Sequence, residues 1–280
     1  VSYESMMLTS WREQLQMGRS ALKRRYERNL KKSFIQTFTA VSSLLPAFED
    51  DAMFVIPNGR LPQEKAIVLA LRESKKHNIR YYEAGVSSKH VYFSENPPLS
   101  REGQKKYNSV EVTRRSEQLA KAWLQSRIEG VSEDNLFSRV GKSRATGQQT
   151  EYDLVLFTSS TEEIESTGSD WVNNYDQIEG LLSIWKTAIK GQHGAIAIKI
   201  HPNLANKSSH TFKSEAVRLC KFAQEIGAEL IGPFSSRNTY ELISNCKRVG
   251  VHVSTVGLEA SFLGVEVWIS GIPFYIDQLG

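Results

Sequence analysis

The chain has 280 residues, of which 40% are hydrophobic and 24% are charged. This composition is that of an ordinary globular protein and excludes disordered and fibrous classes. The formal charge of +4, from 35 basic and 31 acidic residues, is too small to call for a nucleic-acid partner. The two cysteines lack a CxxC spacing and predict neither a zinc site nor a disulfide framework. No apolar run reaches the roughly 20 residues that a membrane-spanning helix needs.

Residues 1–51 are predicted to form a basic helical segment. Lysine and arginine greatly outnumber glutamate between Trp11 and Lys32, and apolar residues recur there at helical spacing. The pattern favours the solvated face of a connecting helix, and contact with an anionic membrane surface is kept as a side hypothesis. The first residues lack a signal-peptide layout. Because the chain does not begin with methionine and stops abruptly at GIPFYIDQLG, we expect a segment of a longer protein.

An N-terminal α/β lobe is predicted over residues 52–145. Its first strand ends at the turn Asn58-Gly59-Arg60, and its second strand is followed by Glu83-Ala84-Gly85. A strand, a helix and a strand with loops of this length favour a βαβ unit with parallel strands. The predicted elements of this lobe are strands over 52–57, 79–82 and 90–94 and helices over 62–76 and 112–129.

The polar, glycine-containing stretch 138–152 predicts a domain boundary. Beyond it, over residues 146–280, strands and helices alternate, which is typical of a parallel sheet covered on both faces. The predicted strands are 153–157, 195–200, 229–231, 249–253 and 265–269, and the predicted helices are 175–190, 214–226, 239–245 and 257–263. The sequence therefore predicts two α/β lobes.

The segment Lys199–Asn203 (KIHPN) closes a buried strand of the second lobe. His201 follows that strand and precedes a proline, so its backbone is restricted and its ring can donate a hydrogen bond to a phosphate oxygen. Lys199 alternates with Ile198 and Ile200, which places it on the other side of the sheet. For His201 alone, a satisfied structural histidine is the favoured interpretation.

The segment Ser254–Ala260 (STVGLEA) shifts the balance towards a ligand site. Ser254 and Thr255 supply hydroxyl groups, Gly257 allows a ligand close to the backbone, and the helix N-terminus attracts anions. Glu259 is predicted to meet a ribose hydroxyl or to serve as a capping partner. A plain helix start is the alternative, although the serine-to-glutamate spacing is one residue too long for a capping box.

The loop Thr158–Thr161 (TSST) ends a third predicted strand of the same lobe. Ser159 and Ser160 can supply further hydroxyls to the same crevice, or they can form only a turn and a helix cap. Ser235 and Ser236 are typical of a second capped helix start, and a position near a nucleotide base is a hypothesis for them.

The segments TSS, HPN, PFSS with TYELI, VHVSTVGLEASFLGVEVW and a terminal P-x-Y occur in this order. Over about residues 150–280 they resemble the C-terminal donor-binding lobe of capsule polysaccharide biosynthesis proteins, GT-B glycosyltransferases that include the β-Kdo transferases. Polyglycerol-phosphate and teichoic-acid polymerases look similar over the same region. NGR at 58–60 and EAG at 83–85 are similar to the family's N-terminal lobe, although Val86-Ser87-Ser88 then depart from its pattern.

The resemblance implies a GT-B-like fold of two Rossmann-like lobes with parallel sheets, the first strands of the N-terminal lobe being absent. It implies that His201, Ser254 and Thr255 bind the donor phosphate, and His201 is also assigned a catalytic role. The acidic residue of the N-terminal motif, and so the expected catalytic carboxylate, is Glu83. The donor-binding set is completed by Lys199, Asn203, Ser159, Ser160, Gly257 and Glu259, and Asn58 and Arg60 are assigned to the acceptor side or to structure.

Glycosyl transfer needs donors around the departing phosphate and a carboxylate near the anomeric carbon. No DxD-like pair lies in a suitable loop, so the expected enzyme is metal-independent and needs no cofactor. Its expected partners are a nucleotide-sugar donor, with CMP-linked sugars among the candidates, and a glycan or glycolipid acceptor of the bacterial cell envelope. The expected location is the cytoplasm, with peripheral contact at the inner membrane as the side hypothesis.

Two alternatives stay open. A CDP-alditol glycerophosphotransferase of the teichoic-acid type shares the HP and serine loops but directs attack at phosphorus. A non-catalytic polysaccharide biosynthesis or export module keeps the fold without the chemistry. A dinucleotide-dependent oxidoreductase is disfavoured, because no G-x-G-x-x-G follows any predicted strand.

Overall fold

A computed structural model describes most of the chain. The described residues are 21–59, 62–76, 78–84, 91–97, 100, 103, 111–129, 151–159, 176–189, 194–207, 209–273 and 275–276. They fall into two compact units, one containing the described residues up to 103 and the other those from 111 onwards. No helix in these ranges combines the length and the apolar character needed to cross a membrane.

The N-terminal unit is built on a three-stranded sheet of order β1-β2-β3. Its elements are α1 (Ala21–Leu44), a 3-10 turn (Leu45–Ala47), β1 (Phe54–Pro57), α2 (Pro62–Glu73), β2 (Ile79–Ala84) and β3 (Val91–Ser94). Strands β1 and β2 are parallel and joined through α2, as the sequence predicts. Strand β3 runs antiparallel to β2, so the prediction that this sheet is wholly parallel is wrong.

Helix α1 is part of the N-terminal core. Its apolar residues Phe38 and Val41 pack with Leu45, Ile56 and Leu71 against the inner face of the sheet. The opposite face of α1 is exposed and carries cations at helical spacing, namely Arg25, Arg28 and Lys32. The basic residues therefore lie outside a helix whose other face contributes to the core.

The C-terminal unit contains the larger sheet. Its elements are α3 (Arg114–Ile128), β4 (Leu154–Phe157), α4 (Gln177–Ile189), β5 (Ile196–Lys199), a 3-10 turn (Pro202–Asn206), α5 (Ser209–Ile226), β6 (Glu229–Ile231), α6 (Thr239–Ser244), β7 (Arg248–Val251), α7 (Val256–Phe262) and β8 (Glu266–Ile269). The predicted strands and helices of this lobe are all present, with ends that differ by a few residues. The apolar runs predict them well because every residue of β4 and of β5 is buried.

The five strands of this sheet are all parallel and lie in the order β6-β5-β4-β7-β8. The chain starts in the middle at β4, adds β5 and β6 on one side, and returns to add β7 and β8 on the other. This is the doubly wound arrangement, and the direction of winding reverses between β4 and β7. Open sheets of this kind bind ligands beyond the carboxyl ends of their strands at that point.

Alternate residues of the strands supply two cores, one on each face. Val155 and Ala197 belong to the first core with residues of α3, α6 and α7, whereas Leu156 and Ile198 belong to the second core with residues of α4 and α5. Leu124 of α3 is 4% exposed in the first core. The structure thus places α3 with the C-terminal sheet, although the predicted boundary at residues 145/146 assigned it to the N-terminal lobe. A helix's amphipathic pattern shows that it packs on a sheet without showing which one.

Candidate functional site

Polar residues from three neighbouring strands meet at the carboxyl edge of the five-stranded sheet. Thr158 and Ser159 follow β4, Lys199 and His201 lie at the end of β5, and Ser254 follows β7. Since β5, β4 and β7 are adjacent, with the winding reversal between the last two, these residues lie where the fold predicts a ligand. We call this set the carboxyl-edge cluster.

Thr158 joins the first two of these loops. Its backbone N–H donates to Lys199 O at 3.1 Å, and its Oγ1 accepts from the backbone N–H of His201 at 2.8 Å. Its side chain is 4% exposed, so these bonds are sheltered from water. The segment after β5 is therefore fixed to the segment after β4, and the histidine has a defined backbone position.

The ring of His201 is held in one protonation state. Its Nδ1 accepts from the backbone N–H of Asn203 at 3.1 Å, at the start of the 3-10 turn that Pro202 opens. The neutral ring consequently carries its proton on Nε2. Burial, with a smaller effect of the Lys207 charge, lowers the pKa of His201 to about 4. Near pH 7 the ring is thus a neutral hydrogen-bond donor through Nε2–H.

Lys199 is a buried cation at the end of β5. It is 6% exposed, and its Nζ donates to Gly232 O at 3.5 Å. Burial, with a smaller effect of the Arg237 charge, lowers the pKa of Lys199 to about 8. It shares the sheet face of Ala197, opposite to Ile198, as the alternation in sequence predicts. A mainly protonated amine in this position favours an anionic ligand.

Ser159 has a buried hydroxyl. Its backbone N–H donates to Gln177 Oε1 at 2.5 Å, which ties the loop to the first turn of α4. Within the described residues its Oγ has no hydrogen-bond partner. A buried hydroxyl of this kind is costly unless a ligand or water meets it. The prediction for Ser160 lies outside the described residues.

The loop after β7 is shaped by a tyrosine. The Tyr275 hydroxyl donates to Ser254 O, and Tyr275 is fully buried. Ser254 is 7% exposed, and its Oγ accepts from the Val256 N–H at 3.3 Å. Thr255 is exposed and its side chain makes no cap hydrogen bond to the seven-residue α7. Their roles in phosphate binding stay predictions.

Gly257 has a packing reason that the sequence did not show. A Cβ atom there would meet the Tyr275 hydroxyl and would lie 2.9 Å from Val251 Cγ2. The side of Gly257 that a side chain would occupy is therefore filled by Tyr275. The sequence interpretation, a close approach by a ligand, does not account for this contact. The tyrosine of the terminal P-x-Y motif and Gly257 form one structural unit.

Glu259 lies in a buried polar network. Its Oε2 accepts from the Tyr240 hydroxyl at 2.5 Å, and its Oε1 lies 3.7 Å from Arg127 Nη2. Arg127 Nε also donates to the Tyr240 hydroxyl at 2.7 Å, and its guanidinium stacks 5.0 Å above the ring of Trp123. The structure thus gives this carboxylate protein partners on α3 and α6, and its predicted ribose contact or capping role stays a prediction. The sequence could not show this, since α3 lies more than a hundred residues upstream.

His252 is a buried histidine after β7 that the sequence interpretation did not consider. It follows β7 and is 7% exposed, and its Nδ1 lies 2.9 Å from Ser270 Oγ. A Cβ on Gly180 would come within 2.7 Å of that Nδ1, so α4 packs closely on this pair. Burial lowers the pKa of His252. The available signal was a histidine inside an otherwise apolar run, Val249–Val253.

Glu83 and Asn58, predicted separately, are in contact within the N-terminal unit. Asn58 Nδ2 donates to Glu83 Oε1 at 3.0 Å. Glu83 lies inside β2 opposite Tyr92, one residue beyond the predicted strand end. Asn58 and Gly59 take left-handed backbone conformations, with φ values of 55° and 78°, which form the tight turn. Arg60 lies outside the described residues.

No protein-family model matches the chain, and no curated protein does. Among solved structures, the chain is similar to the β-Kdo 2,4 transferase of KpsC from Thermosulfurimonas dismutans. The TM-score is 0.49 at 17% identity, covering 79% of this chain and 70% of that chain. For the β-Kdo 2,7 transferase of KpsC from the same organism, the TM-score is 0.42 at 14% identity, covering 90% and 77%.

The chain is similar in structure to capsule β-Kdo transferases. Both TM-scores lie below 0.5, so no residue role is taken from these structures. Within the described ranges, no group of three or more His, Cys, Asp or Glu residues is placed to hold a metal ion.

Proposed function

We propose that the chain is a glycosyltransferase that moves a sugar from a nucleotide-activated donor onto a bacterial surface glycan of the capsular or lipopolysaccharide type. The observation that carries this proposal is the carboxyl-edge cluster. It brings a buried cation, a neutral imidazole donor and hydroxyl groups from three adjacent strands to the winding reversal of the sheet. Donors of these kinds suit a phosphate group, which is where the leaving-group charge of a nucleotide sugar develops.

Each member of the cluster has a distinct task in this proposal. His201 donates from Nε2–H to a phosphate oxygen without adding charge, because its pKa of about 4 keeps the ring neutral near pH 7. Lys199 supplies positive charge at the end of β5, and its burial strengthens the attraction between that charge and a phosphate. Ser254 and Ser159 add hydroxyl donors. Asn203 acts indirectly, since its backbone N–H fixes the tautomer of His201.

The transfer step is a substitution at the anomeric carbon of the donor sugar. The acceptor hydroxyl oxygen forms the new bond to that carbon, while the bond between carbon and phosphate oxygen breaks and its electron pair stays on the phosphate. The acceptor proton passes to a general base, a role that we assign to Glu83. Asn58 supports this role by hydrogen bonding to Glu83 Oε1, which orients the carboxylate. The leaving-group charge is then met by the cluster, with no cofactor invoked.

Donor turnover tests the proposal. CMP-Kdo, UDP-sugars and CDP-glycerol are offered to the purified chain with a glycan acceptor, and release of the nucleotide is measured. We expect release from a sugar nucleotide, a loss of about two to three orders of magnitude in Glu83→Gln, and a similar loss in His201→Ala. Glu73→Gln, an exposed glutamate at the end of α2, is the matched control. Turnover of CDP-glycerol alone would identify a glycerophosphotransferase instead. Turnover that survives both substitutions would overturn the enzyme assignment.

We propose a peripheral membrane location on the cytoplasmic face for the same activity. The outer face of α1 exposes Arg25, Arg28, Lys31 and Lys32, and Ile35 is 50% exposed beside them. Clustered cations beside an exposed apolar side chain are typical of surfaces that contact anionic lipid. A glycolipid acceptor would be presented at such a surface, so the location and the proposed acceptor agree.

A further inference from the structure

An exposed aromatic ring lies beside the carboxyl-edge cluster and has no role in the chemistry described so far. Phe234 follows β6, the strand next to β5, and is 68% exposed. Single exposed apolar residues are common, so exposure alone carries no argument. What sets Phe234 apart is how it is held and what lies next to it.

A tight turn presents the ring. The backbone N–H of Ser235 donates to Gly232 O at 3.1 Å, which closes a four-residue turn with Pro233 and Phe234 at its centre. Proline in the second position of such a turn fixes its backbone in advance, and Pro233 is buried. The hydroxyl of Ser235 also accepts from the Arg237 N–H at 3.2 Å. Phe234 is thus displayed at the tip of a stiff turn.

The ring also has an aromatic neighbour that fixes its position. Phe212 of α5 packs on a small core with Ile200, Leu204 and Leu219. Its ring centroid lies 5.9 Å from that of Phe234, with 48° between the ring planes, a favourable separation for an aromatic pair. Phe212 therefore anchors Phe234 to the unit while most of the Phe234 ring surface stays exposed.

The turn lies directly beside the proposed phosphate site. The Ile200 N–H donates to Ile231 O at 2.9 Å, so the chain at His201 runs next to the start of the turn. Adjacent strands lie about 4.8 Å apart. Lys199 Nζ donates to the carbonyl oxygen of Gly232, the first residue of the turn, at 3.5 Å. The turn that carries Phe234 therefore begins beside the strand end that carries Lys199 and His201.

We infer that Phe234 is the platform on which the base of the donor nucleotide stacks, with the phosphate directed to His201 and Lys199. This inference rests on the proposed function and adds the nucleobase subsite to it. Stacking on an aromatic ring is tolerant of base identity, since every base has a π face. Phe234 therefore supplies affinity for the nucleotide and leaves the choice of base to other groups.

Calorimetric titration of CMP tests the inference. Removing one base–aromatic stack weakens binding by roughly five- to a hundredfold, so we expect that loss for Phe234→Ala and near-native binding for Phe234→Trp. Ribose 5-phosphate, which has no base, should bind equally to the native chain and to Phe234→Ala. The control is Phe262→Ala, since Phe262 is 48% exposed at the far end of α7.

The outcomes separate the inference from the function on which it rests. If the native chain binds CMP and Phe234→Ala binds it equally well, the base platform is overturned while the transferase proposal stands. If ribose 5-phosphate loses affinity as much as CMP does, Phe234 supports the loop rather than the base, and the inference is again overturned. If the native chain binds no nucleotide and turns over no sugar nucleotide, the proposed function itself fails.

Discussion

Replacing Lys199 by methionine should make the folded protein more stable while weakening its binding of a phosphate ligand. The pKa of Lys199 falls from 10.5 to about 8 on folding, and each pKa unit corresponds to about 1.4 kcal/mol, so the protonated amine costs the folded state roughly 3 kcal/mol. Methionine has a similar length and no charge. Allowing for the lost contact with Gly232 O, we expect a gain of about 1–3 kcal/mol in the free energy of unfolding at pH 7.

The pH dependence gives the same prediction an independent check. Between pH 8 and 10.5 the unfolded chain keeps the lysine proton and the folded chain has lost it, so the native protein gains stability as the pH rises through that window. Lys199→Met lacks this gain, and the two stability curves should converge towards pH 10.5. Urea denaturation followed by tryptophan fluorescence is suitable, because Trp185 and Trp268 pack on the core of the same unit.

The control is Lys186→Met, an exposed lysine on α4, for which a change within about 0.5 kcal/mol is expected. A Lys199→Met variant that is less stable than the native chain at pH 7 would show that the amine is a structural element. A Lys199→Met variant that is more stable than the native chain but binds phosphate more weakly would support a role of Lys199 in ligand binding, because residues kept for function commonly lower stability.

Three further predictions concern packing, pH and the outer face of α1. Gly257→Ala should lower the free energy of unfolding by about 1–3 kcal/mol in thermal unfolding, because its Cβ would overlap Tyr275. Gly232→Ala has open space at its Cβ and should be nearly neutral, so equal effects of the two substitutions would contradict the predicted overlap. The free energy of unfolding of the native chain should fall by up to about 3 kcal/mol between pH 6.5 and 4, because His201 takes up a proton in the unfolded chain while its folded pKa of about 4 keeps it neutral in the native state. His201→Gln should lack this fall, and stability curves that run parallel for the two proteins would refute the prediction. In co-sedimentation, the chain should bind phosphatidylcholine vesicles that contain phosphatidylglycerol and should bind little to vesicles without it. Replacing the α1 cations by glutamine should weaken this binding several-fold, whereas the same replacement of two exposed α5 lysines should leave it unchanged. The α1 cations are Arg25, Arg28, Lys31 and Lys32, and the α5 controls are Lys213 and Lys221.

The C-terminal unit could be predicted closely because its strands are buried on both faces. Leu154–Phe157 and Ile196–Lys199 read as continuous apolar runs that end at polar residues, which locates both the strands and the candidate site. The side of the sheet taken by Lys199 also followed from simple alternation. A short-range pattern was sufficient in these cases because the relevant neighbours lie on the same strand.

The features that sequence patterns missed all depend on distant partners. The direction of β3 is not encoded in Val91–Ser94, since a four-residue strand can pair either way. The burial of Glu259 depends on Arg127 and Tyr240, which lie on two other helices. His252 went unnoticed because one histidine in an apolar run has no spacing to interpret. Tertiary contacts decide these positions, and local propensity carries no information about them.

The contact between Gly257 and Tyr275 has a consequence for the evolution of this lobe. The tyrosine hydroxyl fills the space that a side chain at position 257 would need, and it also donates to Ser254 O. Relatives that lose the tyrosine keep only the close Val251 contact at position 257, so they should accept alanine or serine there more readily than those that keep it. Positions 257 and 275 should change together across an alignment of relatives, although they lie at opposite ends of the segment that runs from β7 to the P-x-Y motif.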